Sequence, residues 1–415
     1  MRIANQIPSS SLNRGYCAWN PLFYVYLRIW DATLSLAIRR STQTIPLVPP
    51  RPHRILVANT GHVGDAVLAS CVLPALKSAF PHAELGFLCA GWSRSLFQGH
   101  PLLSWVHSVD HWRLNRDDVS LVRKFARYLC TRRRAIKEIC AVGYGAAIDL
   151  YSFYPNAADV FWTAGIPIRL GHTTGGFGAL YTRAIEWRHQ TGRHISEYHS
   201  DLLRELGVTT EHLREMRPVL APPAPEVLQK IRSELAAHGI EPQSYVMLHM
   251  GTGDIRKEWP RQRWRELARR LRVSGHRLVF TGRGERERRL IEFVAREADK
   301  YVNLCDQLDL PGLAAVAKDA RAVVTLDTAA AHLAAASGAP TVAVWTGLAP
   351  AFWRPLANNI RIVSHRVPCS PCFLGCSEME CVKEVSVESV YQALKLGAVG
   401  ADMLPVNGPS TRAAS

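Results

Sequence analysis

Three times along this chain, a short apolar run ends in a polar or glycine-containing turn that leads into a helical pattern. The most informative of these segments runs from the apolar residues 322–324 through Asp327 and Thr328 to His332. Asp327 and Thr328 occupy the expected start of the helix, where unpaired backbone N–H groups favour an anion. The competing interpretation is an ordinary strand-to-helix connection with a capping acid.

The second segment joins a β-rich run at 55–58 to a turn that contains Gly61 and Gly64, with Asp65 at the start of an apolar helix. The two glycines permit a tight turn and a close approach by a ligand. The turn has neither the Gly-Lys-Ser/Thr ending of a P-loop nor the spacing of the dinucleotide fingerprint, which argues against a dehydrogenase. Asp65 is either a first-turn acid favoured by the helix dipole or, in a cleft, a general base.

The third segment begins with the strand-like run 245–248 and continues into a glycine-rich loop that contains Thr252 and ends in Arg256 and Lys257. Flexible backbone donors beside fixed positive charge suit a pyrophosphate, and the alternative is a solvated basic loop. An amphipathic helix is expected after the loop, from about residue 262 to residue 271.

Together, these segments resemble glycosyltransferase family 9, the lipopolysaccharide core heptosyltransferases. The resemblance is carried by Val63-Gly64-Asp65, the loop ending in Lys257-Glu258-Trp259-Pro260, and Asp327-Thr328 with His332. It extends from about Arg54 to Leu394. The cysteines of the tail also resemble those of the second heptosyltransferase of the pathway; they are Cys369, Cys372, Cys376 and Cys381.

The resemblance implies an α/β protein of the GT-B fold, in which two Rossmann-like parallel-sheet domains face each other across a cleft. It implies an inverting transfer of heptose from ADP-heptose to an anionic glycolipid of the lipopolysaccharide core, with no catalytic metal and no other cofactor. Asp65 would be the base, with His62 and Gly64 on the acceptor side. The donor side would consist of Thr252, Lys257, Asp327, Thr328, His332 and an adenosine-side acid, either Glu285 or Glu287.

Two departures from the family pattern limit what the resemblance implies. Asn59 stands where many members have a basic residue, which leaves the acceptor and its docking open. Ala329 stands where relatives commonly have glycine, which leaves the donor open between ADP-heptose and another nucleotide sugar. Two other classes also remain. One is another nucleotide-sugar enzyme on the same scaffold, such as an epimerase, and the other is a non-catalytic protein of the membrane surface.

Strand-like runs alternating with helical stretches predict parallel sheets covered by helices on both faces. These runs lie at 55–58, 85–88, 146–150, 245–248, 277–280, 322–326 and 341–345. The length of 415 residues suits two domains, and the proline-rich segment 217–225 predicts the linker. We therefore expect an N-terminal extension with an apolar helix (1–50), an acceptor domain (51–220), a donor domain with the cysteine tail (221–397) and a disordered end (398–415).

The chain carries 50 basic and 35 acidic residues, with basic clusters at 123–137 and 261–272. Such clusters are either solvated helix faces or sites for an anionic membrane or a phosphorylated glycolipid, and no zinc-finger or RNA-binding signature favours nucleic acid. The apolar segment 19–38 contains Arg28 and Asp31, which argues against a spanning helix. It is expected to be either an interfacial amphipathic helix or a helix docked on the protein itself.

The other cysteines lie in apolar, core-like segments and predict buried thiols of a reducing compartment; they are Cys17, Cys71, Cys89, Cys130, Cys140 and Cys305. The four tail cysteines are close enough to hold a structural metal, with unliganded thiols or a local disulfide as the alternatives. The expected location is the cytoplasm, with the inner face of the plasma membrane as a peripheral site.

Overall fold

The protein is described here by a computed structural model, which covers residues 21–38, 52–188, 190, 192–296, 301–347, 350–370, 376, 378–395 and 404–405. The chain divides into two compact units between Ala221 and Pro222. This division falls inside the proline-rich segment 217–225.

Unit 1 begins with helix α1 (Pro21–Ile38) and continues into a six-stranded parallel sheet. Its strands are β1 (Arg54–Asn59), β2 (Glu84–Cys89), β3 (Trp105–Ser108), β4 (Ala146–Asp149), β5 (Ile168–His172) and β6 (Arg183–Ile185). Its further α-helices are α2 (Val63–Ala69), α3 (Val72–Ala79), α4 (Leu121–Val142), α5 (Ala158–Thr163), α6 (Ile195–Glu205) and α7 (Thr210–Leu213). The strands lie in the order β3-β2-β1-β4-β5-β6.

Unit 2 contains a seven-stranded parallel sheet. Its strands are β7 (Tyr245–His249), β8 (Arg277–Thr281), β9 (Tyr301–Asn303), β10 (Ala322–Leu326), β11 (Thr341–Val344), β12 (Ile360–Ser364) and β13 (Leu404–Pro405). Its helices are α8 (Pro225–Ala237), α9 (Arg261–Val273), α10 (Glu285–Ala295), α11 (Leu310–Lys318), α12 (Ala329–Ala336), α13 (Pro350–Trp353), α14 (Glu380–Lys383) and α15 (Val387–Lys395). The order β13-β12-β11-β10-β7-β8-β9 repeats the topology of unit 1 with one strand added.

The central strands are buried because helices cover both faces of each sheet. β1 is buried from Ile55 to Asn59, and β10 is buried from Val323 to Leu326. The order of strands reverses between β1 and β4 in unit 1 and between β7 and β10 in unit 2. In open parallel sheets, ligands bind beyond the carboxyl ends of the strands at such a reversal. Each unit therefore has one position where a ligand site is expected.

The expected α/β class with two parallel-sheet domains is confirmed, and each predicted strand-like run forms a strand. Strands β3, β5, β6, β9, β12 and β13 were not predicted. β3, β6, β9 and β13 contain only four, three, three and two residues and form sheet edges, and β5 and β12 contain five residues each. Runs this short do not display a two-residue period long enough to distinguish them from loops.

Helix α1 packs against the rest of unit 1, as one of the two alternatives for this segment predicted. Leu27 is 1% exposed, and the Phe177 N–H donates a 2.6 Å hydrogen bond to the Asp31 carboxylate. Asp31 is thus a docking residue of α1. No helix in the described ranges is long and apolar enough to cross a membrane.

The cysteines follow the expectation only in part. Cys71, Cys89 and Cys305 are buried, but Cys130 and Cys140 are exposed on α4. That expectation was wrong for these two, because α4 is amphipathic and they lie on its solvent side. Cys17 lies outside the described residues.

In the tail, Cys369 and Cys376 are exposed and Cys381 is buried, while Cys372 lies outside the described residues. Among the residues that are described, no group of three or more His, Cys, Asp or Glu side chains is placed to hold a metal ion. Of the expected end segment 398–415, Leu404–Pro405 pair with β12, and the rest is not described.

Candidate active site

In unit 1, Asp65 lies in the first turn of α2, directly after β1. Its carboxylate accepts a 2.9 Å hydrogen bond from the His62 N–H and so closes the turn that begins the helix. The preceding turn is held by the Gly61 N–H, which donates to the Asn59 side chain (3.0 Å), and by the Trp92 indole, which donates to the Gly61 carbonyl (3.0 Å). Asp65 is therefore both a helix cap and a half-buried carboxylate at the strand reversal.

Tyr151 adjoins Asp65 because it follows β4, the strand beside β1. A Cβ atom on Gly61 would lie 2.5 Å from the Tyr151 ring and 2.8 Å from the Asp65 carboxylate. Glycine is thus required for these two side chains to pack on the turn. Burial, together with the nearby Asp65 carboxylate, raises the pKa of Tyr151, so its phenol stays protonated at neutral pH.

The acceptor-side residues His62 and Gly64 lie in the same turn as Asp65. The Arg116 guanidinium, from the loop before α4, lies 3.2 Å from Nε2 of His62. Positive charge therefore reaches the Asp65 turn from a distant part of the chain. This is notable because Asn59, inside the turn, supplies none.

In unit 2, Lys257 joins the loops that follow the two strands at the reversal. Its Nζ lies 3.0 Å from the Asp327 carboxylate, and both side chains are largely buried, at 21% and 14% exposed. The Thr346 hydroxyl, after β11, donates a 2.6 Å hydrogen bond to the same carboxylate. Three strand ends therefore meet at Asp327.

Helix α12 begins beside this ion pair. Thr328 is its N-cap residue, as predicted, yet the Thr328 side chain makes no capping hydrogen bond. Its hydroxyl is buried and has no partner among the described residues. A polar atom left in this state at a helix start is suited to an external acceptor, such as a phosphate oxygen. His332, one turn further, is buried with its ring 6.2 Å from that of Trp345.

The loop after β7 is shaped by its own side chains. The Thr252 hydroxyl is buried and accepts a 3.3 Å hydrogen bond from the Asp254 N–H. Arg256 is bound by the Asp254 carboxylate, with a shortest distance of 2.6 Å. Of the two basic residues that end this loop, Lys257 is therefore directed to Asp327, and Arg256 is not.

The two candidate acids in α10 have different environments. A Cβ on Gly251 would lie 2.1 Å from the Glu287 carboxylate, which also accepts a 2.8 Å hydrogen bond from the Arg283 N–H. Burial raises the pKa of Glu287. Glu285 is 62% exposed and pairs with Arg289, one turn along the same helix. The structure thus places Glu287, and not Glu285, at the strand ends of unit 2.

Four neighbours of these sites were missing from the sequence prediction: Tyr151, Arg116, Thr346 and Arg286. Arg286 donates a 2.6 Å hydrogen bond to the Thr252 carbonyl and lies 3.1 Å from Glu258, so it links α10 to the β7 loop. Tyr151 and Thr346 closely follow buried strands, and this position is a signal that would have identified them. Arg116 and Arg286 carry no such signal.

Comparison with known proteins adds the following. Residues 132–383 match the family described as glycosyltransferase family 9 (heptosyltransferase). Lipopolysaccharide heptosyltransferase 1 of Pseudomonas aeruginosa is 26% identical over 334 residues, which are 77% of this chain and 86% of that protein.

Two solved structures share the fold. The glycosyl transferase family 9 protein from Veillonella parvula has a TM-score of 0.68 at 18% identity and covers 83% of this chain and 96% of its own. The E. coli heptosyltransferase WaaC with ADP has a TM-score of 0.63 at 20% identity, with 83% and 99% covered. These similarities confirm the fold class expected from the sequence.

Proposed function

Because the chain belongs to glycosyltransferase family 9, the heptosyltransferase family, we propose that it transfers a heptose from ADP-heptose to a lipopolysaccharide-core acceptor with inversion at the anomeric carbon. The observation that carries this proposal is the Lys257–Asp327 pair at the strand reversal of unit 2, beside the unpartnered hydroxyl of Thr328. A fixed cation next to a helix start is the arrangement that a leaving diphosphate requires.

Asp65 acts as the general base. As the acceptor hydroxyl attacks the anomeric carbon, its proton passes to the Asp65 carboxylate, and the bond from that carbon to the diphosphate oxygen breaks. A carboxylate suffices because the hydroxyl becomes acidic only as the new bond forms. The neutral Tyr151 phenol and the Arg116 guanidinium lie near this turn and orient the acceptor, together with His62 and Gly64.

Lys257 stabilises the negative charge that develops on the departing ADP. Thr252, Thr328 and the first backbone N–H groups of α12 supply hydrogen-bond donors around it. With the charge balanced in this way, departure needs no divalent ion. His332 acts at a distance from the phosphates by fixing α12 against Trp345.

Glu287 binds the adenosine side of the donor. Acids at the end of the second strand of such sheets accept hydrogen bonds from a ribose hydroxyl, and Glu287 lies there against Gly251. We expect Glu287→Gln to raise KM for the donor about tenfold with little change in kcat, because hydrogen bonds to charged groups contribute roughly 1.5–3 kcal/mol. Glu285→Gln in the same helix is the matched control. Equal donor KM values for the two variants would contradict the assignment.

The acceptor is an anionic glycolipid, and a cytoplasmic enzyme at the inner face of the membrane has access to it. The proposal is tested by incubating purified protein with a panel of nucleotide sugars and measuring nucleotide release with and without lipid acceptor. We expect release from ADP-heptose only when the acceptor is present. Release without an acceptor would indicate an epimerase-like or hydrolytic enzyme, and no release with any donor would indicate a binding protein.

A further inference from the structure

The exposed apolar side chains of this protein are concentrated in one part of unit 1. Ten of the fourteen large apolar residues that are exposed in the described ranges belong to α1 or to the start of α4 and the residues just before it. They are Leu22, Val25, Tyr26, Ile29, Trp30, Leu36, Val119, Leu121, Val122 and Phe125. Soluble monomers rarely expose contiguous apolar patches of this kind unless the patch binds something.

The two groups are connected by aromatic contacts. Phe125 lies 6.2 Å from Tyr128, and Tyr128 lies 4.7 Å from His111. His111 contacts Tyr154 at 5.8 Å, and Tyr154 contacts Phe23 of α1 at 5.0 Å. The two groups of exposed residues therefore lie over one connected set of aromatic side chains, and we call the ten residues together the apolar face.

The opposite side of α1 is already occupied. Phe23, Leu27, Asp31 and Leu34 recur at helical spacing, and all four face unit 1. Because these contacts fix the helix, its outward residues cannot be buried by rotating it. Something other than the described part of unit 1 must cover them, or they remain in contact with water.

The charge of the neighbouring helix α4 indicates what covers the apolar face. Helix α4, which borders the apolar face, contains seven basic residues and one acidic residue, and Arg123, Arg133 and Lys137 are exposed. Apolar side chains interleaved with arginine and lysine suit a bilayer with anionic head groups, since burial and charge attraction act together.

We propose that the apolar face inserts into the interfacial layer of an anionic lipid membrane. This deepens the proposed function, on which its biological meaning rests, because it places the unit containing Asp65 at the surface where a glycolipid acceptor resides. The loop before α4 supports this: Arg113 lies 4.8 Å from the Phe23 ring of α1, and Arg116 lies 3.2 Å from His62. One short loop thus joins α1 to the turn that carries Asp65.

Sedimentation of the full chain with vesicles tests this proposal. With equal parts phosphatidylglycerol and phosphatidylcholine we expect binding that high salt releases only in part, since salt screens charge but not apolar burial. Ile29→Glu and Val122→Glu should each weaken binding by about tenfold or more, because each places a charge where the membrane would bury an apolar side chain. Val273→Glu, an equally exposed position in unit 2, is the matched control and should bind normally.

Nucleotide release with detergent-dispersed acceptor separates this proposal from the transfer reaction. It should be unchanged in Ile29→Glu, so a failure of transfer and a failure of docking give different results. Binding of both variants at the wild-type level would overturn the proposal, as would absence of wild-type binding to anionic vesicles. If the wild type instead self-associates in sedimentation velocity and Ile29→Glu does not, the apolar face is an interface between copies, and the membrane assignment is wrong.

Discussion

Replacing Asp65 by Asn is expected to lower turnover by roughly a hundredfold or more while leaving the affinity for ADP close to normal. The amide cannot accept the proton of the attacking hydroxyl, so the loss arises in the transition state. Its oxygen can still accept the hydrogen bond from the His62 N–H, which preserves the helix start. Turnover is measured by nucleotide release under saturating donor and acceptor, and ADP affinity by calorimetry.

Helix capping is the competing explanation, and unit 1 contains a matched control for it. The Glu197 carboxylate accepts a 3.0 Å hydrogen bond from the His194 N–H and closes the start of α6 in the same way. Glu197→Gln should therefore show the consequence of altering a cap alone, with turnover near that of the wild type. Near-normal turnover in Asp65→Asn, or an equal loss in Glu197→Gln, would remove Asp65 from the proposed role.

The sequence was sufficient to predict the parallel sheets and the three strand-end motifs. Long apolar runs and the polar turns after them are local features, and parallel strands direct their carboxyl ends to the same edge of a sheet. For this reason Asp65, Lys257 and Asp327 were correctly placed after buried strands. Nothing in the local pattern specified which strand ends are neighbours.

The neighbours depend on strand order, which is a property of the whole unit. Tyr151 reaches Asp65 because β4 pairs with β1, although 86 positions separate the two residues (151 − 65). Thr346 reaches Asp327 because β11 pairs with β10. Sequence spacing between such residues reports the length of the connection, not the distance in the fold.

The direction in which each side chain points could not be predicted from the sequence either. Glu285 and Glu287 are two positions apart in one helix, so they point to different sides of α10. Only the folded contacts show that Glu287 packs on Gly251 while Glu285 pairs with Arg289. Trp259 is a comparable case, since it lies in a family motif but its indole donates to the Val385 carbonyl within the core of unit 2.

Lys257→Ala is expected to reduce donor binding or transition-state stabilisation by about 2–3 kcal/mol, which is roughly a 30-fold to 150-fold loss in kcat/KM. The change removes the cation next to the start of α12. The Asp327 carboxylate, which keeps its hydrogen bond from the Thr346 hydroxyl, then faces the phosphates without that cation. Repulsion from that carboxylate adds to the loss of attraction.

Arg256→Ala provides the matched control, because it removes the same charge from the adjacent position of the loop. Since Arg256 is held by Asp254 and is 49% exposed, its removal should change kcat/KM by less than about threefold, as is usual for exposed ion pairs. If a Lys257 cation balances the leaving diphosphate, the wild-type protein should also remain active in excess chelator. Strict dependence on added magnesium, or equal losses in the two variants, would show that the charge is balanced by another group.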